Sequence, residues 1–215
     1  MSLYFRSMLR KAAFLIAAGF VSLALVRPAA AASKPTPAKT VGDLRTACRV
    51  ESNARSRYLA FAQKADQEGF GEVASLFRAA AKAEEIHAAS HAAVILKLGD
   101  EPKADIVEPE VKTTKENLQD ALAGEVHERD VMYPEYIEEA KTARNTDALR
   151  TFRFAIKAEA EHARMYQEAL EKLPRLTKPS RKYYVCMACG FTTENLNFQR
   201  CLVCGEEKEK YVAVS

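Results

Sequence analysis

Two short motifs in the sequence pair a glutamate with a histidine three residues later: Glu84 with His87, and Glu159 with His162. Residues three apart lie on the same face of an α-helix, and both pairs fall on stripes that are otherwise apolar. A carboxylate and an imidazole that point into a helical core are costly unless something compensates their charge. Because oxygen and imidazole ligands together suit iron or manganese, we expect these residues to bind metal.

Each motif is preceded by another glutamate on an apolar stripe. Glu51 lies 33 residues before Glu84, and Glu125 lies 34 residues before Glu159. The chain therefore resolves into two helix pairs, each with one lone glutamate and one Glu-x-x-His motif, which is the ligand set of ferritin-like di-iron bundles. One motif alone is weak evidence, since a histidine on an apolar stripe is more often a core residue. Two motifs in register with two lone glutamates are specific.

Four of the five cysteines form two Cys-x-x-Cys pairs, each followed by glycine: Cys186 with Cys189, and Cys201 with Cys204. This spacing predicts a tetrahedral four-thiolate site for one metal ion. Iron and zinc both accept four thiolates, so the sequence allows two interpretations: a redox-active iron site or a structural zinc ribbon. The fifth cysteine, Cys48, is interpreted as a small buried core residue.

Helical periodicity places the carboxylates and histidines on four helices. We expect helices over residues 42–69, 72–98, 113 or 114 to 143, and about 147 to 174, with Pro134 kinking the third. Residues 100–111 contain two prolines and no helical pattern, as in a crossover connection. Residues 33–41 and 175–182 are predicted linkers, so the chain is an all-α four-helix bundle over 42–174 with a small metal-knuckle domain over 183–215.

The first 32 residues have the pattern of an export signal. A basic start is followed by an uncharged run over 12–26 and by small residues at 29–32, and the run is shorter than the roughly 20 residues of a membrane span. We expect cleavage near Ala32, an exported and periplasmic protein, and no stable membrane association afterwards; an uncleaved anchor is the alternative. Without the four cations of this segment the net charge falls from +3 to −1, and no basic surface predicts nucleic-acid binding.

With both halves considered, residues 41–211 resemble rubrerythrin, a ferritin-like di-iron bundle followed by a rubredoxin-like domain. The resemblance is carried by the following runs: Glu51 to Tyr58, Glu84-x-x-His87, Gly124 to Glu128 continuing into Met132 to Glu135, Glu159-x-x-His162, and the two cysteine pairs. One departure is Leu202, which stands where the family usually has proline.

The resemblance implies roles for individual residues. Glu51, Glu84, Glu125, Glu159 and His162 would bind two iron ions, and one iron would exchange His87 for Glu128 as its oxidation state changes. The implied activity is reduction of hydrogen peroxide to water, with an iron ion in the four-cysteine site relaying electrons from an unidentified donor. The resemblance also implies a homodimer in which this relay lies near the partner's di-iron site.

The charges of the predicted site support metal binding independently. Five ionised carboxylates carry about −5 and two ferrous ions return +4, so a metal-free site requires several protonated acids. Two alternatives use the same residues: a ferroxidase or iron-handling protein in which the thiolate metal is incidental, and a non-catalytic module with a structural zinc ribbon.

Three further residues are ambiguous from sequence. Tyr58 and Tyr133 are placed either to donate to a carboxylate of the site or to pack in the core. His91, one turn after His87, is either a neighbour of the ligands or an ordinary helix histidine. His127 points away from both Glu125 and Glu128 on a helix and is not expected to be a ligand.

Overall fold

The structure, a computed structural model, describes residues 38–175, 177 and 179–215. Its helices are α1 Ala38–Gln67, α2 Gly71–Lys97, α3 Thr114–His127, α4 Tyr133–Thr142 and α5 Thr146–Lys172, with a π-helical turn over Glu128–Met132. Short 3₁₀ turns cover Leu173–Arg175 and Lys208–Lys210, and the strands are β1 Tyr183–Cys186, β2 Thr192–Thr193 and β3 Tyr211–Val214. The predicted export signal lies outside the described residues. Within those residues, every helix is too short or too polar to cross a membrane.

The helices form the predicted four-helix bundle. Helix α1 packs along α2, the α3–α4 segment packs along α5, and α2 and α5 bring the two pairs together. Helix α1 begins at Ala38, four residues before the predicted start. The extra turn is stabilised by an ion pair of 3.1 Å between Lys39 and Asp43, and Thr40 is buried.

The helix ends follow the local sequence. Thr113 forms a capping box with Glu116: each accepts a hydrogen bond from the other's backbone N–H, at 3.3 and 3.1 Å. Asn145 caps α5 by accepting a hydrogen bond of 2.9 Å from the Ala148 N–H. Gly99 ends the second helix in the left-handed conformation, with φ of +80°. The sequence predicts a helix end at Gly99, a cap at Thr113 or Thr114, and a turn and cap over residues 145–147, and the structure confirms Gly99, Thr113 and Asn145 in these roles.

The long connection between α2 and α3 contains no helix, as predicted. It is held against α1 by Asn53, whose side chain donates to the Ala104 carbonyl at 3.3 Å and accepts from the Val107 N–H at 2.8 Å. The chain thereby crosses the bundle before α3 begins.

The helix continues past Pro134, as predicted, but its hydrogen-bond pattern breaks before that proline. The break is the π-helical turn that precedes it, in which the Tyr133 N–H donates to the carbonyl of Glu128, five residues earlier. Pro134 lies in the first turn of α4, where its missing N–H costs no hydrogen bond. The extra residue in the turn reorients the chain between Glu128 and Tyr133, and π-helical turns are common at functional sites.

Two aromatic clusters fill the bundle interior. Tyr58, Phe61, Phe77 and Tyr166 form one, with ring centroids 5.4 to 6.4 Å apart. Tyr133, Tyr136, Phe152 and His91 form the other, with centroids 5.4 to 6.3 Å apart. Tyr58 and Tyr133 also hydrogen-bond the predicted carboxylates, so an aromatic cluster adjoins the site through each of them.

The C-terminal domain is a three-stranded antiparallel sheet in the order β2-β1-β3. The sequence predicts that four aromatic residues form the core of this small domain: Tyr183, Tyr184, Phe191 and Phe198. Tyr184, Phe191 and Phe198 do pack around the cysteines. Tyr183 does not: it joins the core of the bundle. Side chains alternate along a strand, so Tyr183 and Val185 face the helices while Tyr184 faces its own domain.

Candidate metal centre

The four helices bring six of the seven predicted carboxylate and histidine ligands together in the bundle interior. Each of the six is at most 2% exposed: Glu51, Glu84, His87, Glu125, Glu159 and His162. The apolar stripes identified in the sequence account for this burial, because each stripe faces the other helices.

The ligand atoms fall into two groups, each within 4.8 Å. The first group contains Glu51, Glu84, His87 and Glu159; the second contains Glu84, Glu125, Glu159 and His162. Only Glu84 and Glu159 belong to both groups. A pair of metal ions held by these groups would share those two carboxylates as bridges.

The individual oxygens support this division. Glu84 Oε2 lies 2.9 Å from His87 Nδ1, and Glu84 Oε1 lies 3.3 Å from His162 Nδ1. Glu159 Oε1 lies 3.1 Å from His87 Nδ1, and Glu159 Oε2 lies 3.0 Å from His162 Nδ1. Each bridging carboxylate therefore presents one oxygen to each half of the site.

The tautomer of His87 is fixed by the C-terminal domain. Its Nε2 lies 3.1 Å from the carbonyl oxygen of Cys189. A carbonyl only accepts, so Nε2 carries the proton, and in the neutral ring Nδ1 is left with a lone pair facing the carboxylates. This is the arrangement of a metal-binding histidine.

His162 is fixed in the same way by Thr192. The Thr192 hydroxyl donates to the carbonyl of Gly190 at 3.2 Å, so it accepts from His162 Nε2 at 3.0 Å. Sequence reasoning missed Thr192, because it lies 30 residues from His162 and only the packing of the two domains brings them together.

Burial and the neighbouring charges shift the pKa values of the carboxylates and histidines in the site. Burial, reinforced by Glu128, raises the pKa of Glu51 well above its ordinary value. Burial also raises the pKa of Glu128 well above its ordinary value and that of Glu125 to about 8. For His87, burial lowers the pKa, but the charges and hydrogen bonds of Glu159 and Glu84 together outweigh burial and raise the pKa to about 10. Burial raises the pKa of Glu159, but the charges and hydrogen bonds of His87 and His162 together outweigh it and lower the pKa to about 2.

The residues fit a metal pair. Several buried ligand atoms have no hydrogen-bond partner in the described part of the chain: Glu51 Oε2, Glu84 Oε1, Glu125 Oε2, both oxygens of Glu159, and His162 Nδ1. Unpaired buried acceptors are costly, and their convergence on one point is explained by cations between them. The raised pKa values agree with the expectation that a metal-free site holds protons instead.

Two tyrosines orient the carboxylates. The Tyr58 hydroxyl donates to Glu125 Oε1 at 2.7 Å, and the Tyr133 hydroxyl donates to Glu51 Oε1. Of the two interpretations left open by the sequence, donation to a carboxylate is confirmed for both. Tyr166 packs edge-on against Tyr58, with ring centroids 5.7 Å apart, but its buried hydroxyl has no hydrogen-bond partner among the described residues.

Glu128 is buried, at 4% exposed, but lies outside both groups of ligand atoms in the described residues. It is the first residue of the π-helical turn and is close enough to raise the pKa of Glu51. The structure therefore places His87 in the site and Glu128 beside it. Exchange of the two ligands stays a prediction.

The remaining candidates are also placed. His91 bonds Tyr133 and Thr151 rather than joining either ligand group. His127 is exposed, as expected. Cys48 is buried, with its sulfur 3.6 Å from the Ala88 carbonyl.

The four predicted thiolates form a compact cluster. Cys186 and Cys204 have sulfurs 3.7 Å apart, and Cys189 and Cys201 have sulfurs 3.6 Å apart. These distances are far longer than a disulfide and match the roughly 3.8 Å edge of a tetrahedron with metal–sulfur bonds of about 2.3 Å. Hydrogen bonding from Cys189 lowers the pKa of the Cys186 thiol to about 5, assisted by the backbone amides of Ala188 and Cys189. The knuckle fits a single metal ion.

Comparison with known proteins agrees with this geometry. The family model described as Rubrerythrin matches residues 43–170. Rubrerythrin-2 of Clostridium acetobutylicum is 36% identical over 82% of this chain and 97% of its own length. Nigerythrin of Nitratidesulfovibrio vulgaris is 31% identical over 84% of this chain and 89% of its own.

Solved structures give the same result. A fully reduced, all-ferrous nigerythrin superposes with a TM-score of 0.76 at 30% identity, over 85% of this chain and 90% of that one. Rubrerythrins bind a di-iron site, and the two carboxylate–histidine groups occupy the interior of the matching bundle. The fold, the ligand set and the match over residues 43–170 together place this chain in the rubrerythrin family.

Proposed function

We propose that this protein reduces hydrogen peroxide to water with two iron ions held by the carboxylate–histidine groups, and that an iron ion in the four-cysteine knuckle returns the electrons. Members of the family are di-iron oxidoreductases that are generally peroxide-reducing. The proposal extends that activity to this chain and assigns the knuckle an electron-transfer role.

One contact carries the proposal: the hydrogen bond of 3.1 Å between His87 Nε2 and the Cys189 carbonyl. His87 faces the carboxylates and Cys189 is one of the four thiolates, so a single hydrogen bond connects the two sites. A structural zinc ribbon does not require contact with a ligand of a second metal site. The contact forms within one chain, whereas the resemblance implied a contact with a partner chain.

The residues prepare the site for this chemistry. When bound, two ferrous ions supply the two electrons that break the O–O bond and the positive charge that stabilises the oxygen anions released. Glu51, Glu84, His87 and Glu159 would hold one of the ions, and Glu84, Glu125, Glu159 and His162 would hold the other. The burial of all these groups excludes bulk water and strengthens their electrostatic interactions.

Anaerobic stopped-flow spectroscopy tests the proposal. The ferrous-loaded protein should be oxidised faster by hydrogen peroxide than by oxygen, and Cys186→Ser should block the return of electrons while leaving the first oxidation intact. Cys48→Ser is the matched control, because Cys48 lies outside the knuckle. Faster turnover with ferrous iron and oxygen, with no effect of Cys186→Ser, would instead identify an iron-handling protein.

Export and assembly belong to the same proposal. The signal-like pattern over residues 1–32 supports a periplasmic protein that receives electrons from a donor still to be identified, and the family resemblance supports a homodimer. Mass spectrometry of the protein from periplasmic extracts should find an N terminus near Ser33. Intact Met1 in a cytosolic fraction would contradict export, and a monomer by light scattering would contradict the dimer.

A further inference from the structure

A chain of hydrogen bonds leads away from the metal centre through residues that belong to neither ligand group. The Tyr133 hydroxyl donates to Glu51 and lies 3.0 Å from His91 Nε2. On the other side of the imidazole, His91 Nδ1 lies 3.2 Å from the hydroxyl of Thr151. Glu51, Tyr133 and His91 are all 0% exposed.

When Glu51 is ionised, as a metal ligand is, the chemistry of the partners fixes the direction of every bond. Tyr133 gives its only proton to Glu51, so its oxygen accepts from His91 Nε2–H. His91 Nδ1 then has a lone pair, and the Thr151 hydroxyl donates to it. Burial lowers the pKa of His91 to about 3, so the ring is neutral and this lone pair is available. If His91 only packed against Phe152, its two ring nitrogens would not both need a hydroxyl group as hydrogen-bond partner.

Thr151, at the end of the hydrogen-bond chain away from Glu51, lies next to solvent. Thr151 is 6% exposed and lines a cavity of about 510 Å³ between α2, α5 and the C-terminal domain, together with Ser90, Lys97 and Asp147. The side chain of Lys97 is 71% exposed, so the cavity is open to water. The path therefore connects bulk water with a ligand that is fully buried.

We propose that Thr151, His91 and Tyr133 relay protons from this cavity to Glu51. The inference rests on the proposed function, because conversion of one peroxide to two waters consumes two protons as well as two electrons, and the site is closed to bulk water. The three residues act through Glu51, so they are positioning residues rather than catalytic residues.

The transfer balances without leaving a charge on the relay. As a solvent proton reaches the Thr151 oxygen, the Thr151 hydroxyl proton passes to His91 Nδ1. The proton on Nε2 passes to the Tyr133 oxygen, and the Tyr133 proton passes to Glu51 Oε1. One proton has then reached Glu51, and rotation of the two hydroxyl groups with exchange of the His91 tautomer restores the starting arrangement.

Nuclear magnetic resonance of the zinc-loaded, ¹⁵N-histidine-labelled protein tests the relay without peroxide chemistry. The spectrum should show His91 as the Nε2–H tautomer, with a ring proton that exchanges with solvent through Thr151. Thr151→Val removes the hydroxyl at nearly constant volume and should slow this exchange at least about tenfold, whereas Thr151→Ser should restore it. Thr114→Val is the control, because Thr114 is also buried but lies at the start of α3, outside the relay.

Peroxide oxidation of the ferrous protein provides the second readout. The rate of peroxide oxidation should follow the rate of proton exchange across the variants. Thr151→Val should be slow, and both Thr151→Ser and Thr114→Val should be near the rate of the unsubstituted protein. Equal proton exchange in all variants would overturn the relay, as would a slow Thr151→Val enzyme with unchanged exchange. If peroxide fails to oxidise even the unsubstituted protein, the proposed function is wrong, and the exchange rates still decide the relay.

Discussion

His87 connects the two metal sites: Nε2 donates to the Cys189 carbonyl at 3.1 Å, and Nδ1 of the same ring faces Glu84 and Glu159. His162 repeats the arrangement through Thr192. Both imidazoles therefore have their tautomer set by residues 189–192, the segment that leads from the first cysteine pair into β2. Displacing that segment should disturb both imidazoles at once.

Gly190→Ala should displace it. A Cβ atom added at Gly190 would overlap the imidazole of His87, and the backbone there has φ of +79°. The left-handed conformation costs about 1 kcal/mol in an alanine, and the overlap adds about 1–3 kcal/mol of overpacking. We expect chemical denaturation to show a lower free energy of unfolding, and stopped-flow spectroscopy to show slower electron transfer from the knuckle.

Gly205→Ala is the matched control for this change. Gly205 follows the second cysteine pair with nearly the same φ, +78°, but has no atom within 4 Å of an added Cβ. It should carry only the backbone cost and keep the rate of electron transfer. Equal rates in the two variants would show that contact with His87 has no part in the transfer.

Tyr58→Phe should weaken metal binding. The Tyr58 hydroxyl orients Glu125 through a bond of 2.7 Å, and loss of such supporting contacts typically lowers metal affinity about 10–100-fold. Tyr166→Phe serves as the control, since the Tyr166 hydroxyl has no partner in the described residues and its loss should leave affinity nearly unchanged. Competition with a chromophoric chelator measures both, and equal affinities would remove Tyr58 from the site.

Metal binding should release protons at neutral pH. Burial raises the pKa values of Glu51 and Glu128 well above their ordinary range. The pKa of Glu125 is raised to about 8 and that of His87 to about 10, so these last two groups are protonated at pH 7 without metal. Metal binds the deprotonated forms, so affinity should rise with pH through 7 to 8. Calorimetry in buffers of different ionisation enthalpy counts the protons, and a count independent of pH would contradict this charge state.

Glu51→Gln should affect the two states of the protein in opposite directions. An amide imitates the neutral acid, so the metal-free variant should be as stable as the unsubstituted protein or more stable. The iron-loaded variant should be less stable, because weaker binding forfeits the stabilisation that a ligand gives to the native state. Thermal melts with and without iron measure both, and parallel shifts would argue against Glu51 as a ligand.

Much of the bundle could be predicted because its signals are local. The caps at Thr113 and Asn145 and the turn at Gly99 depend on neighbouring residues, and the spacing of Glu84 and His87 fixes a helix face whatever surrounds it. The π-helical turn before Tyr133 could not be predicted, since a one-residue change in hydrogen-bond register leaves the apolar pattern nearly intact. The sequence predicts the wrong core for Tyr183, because strand alternation does not reveal what lies on each face of the sheet.

The contacts between distant segments could not be predicted from the sequence. The sequence identified Tyr58 and Tyr133 as candidates, but only packing shows which carboxylate each one contacts. Thr192 and Thr151 carry no motif and become significant through their distances from His162 and His91. Likewise, only the structure shows that Glu84 and Glu159 belong to both ligand groups, because this depends on which oxygen faces which histidine.

Metal content of a single variant tests the central claim most directly. The structure presents two carboxylate–histidine groups and one thiolate group, so we predict three metal ions per chain after anaerobic ferrous loading and desalting. Glu159 belongs to both carboxylate groups, so Glu159→Ala should lose both of those ions and keep the ion of the knuckle, which serves as the internal standard. Mass spectrometry of the elements should therefore find a fall from three ions to one, whereas an unchanged content in Glu159→Ala would contradict a shared pair of metal ions in the bundle.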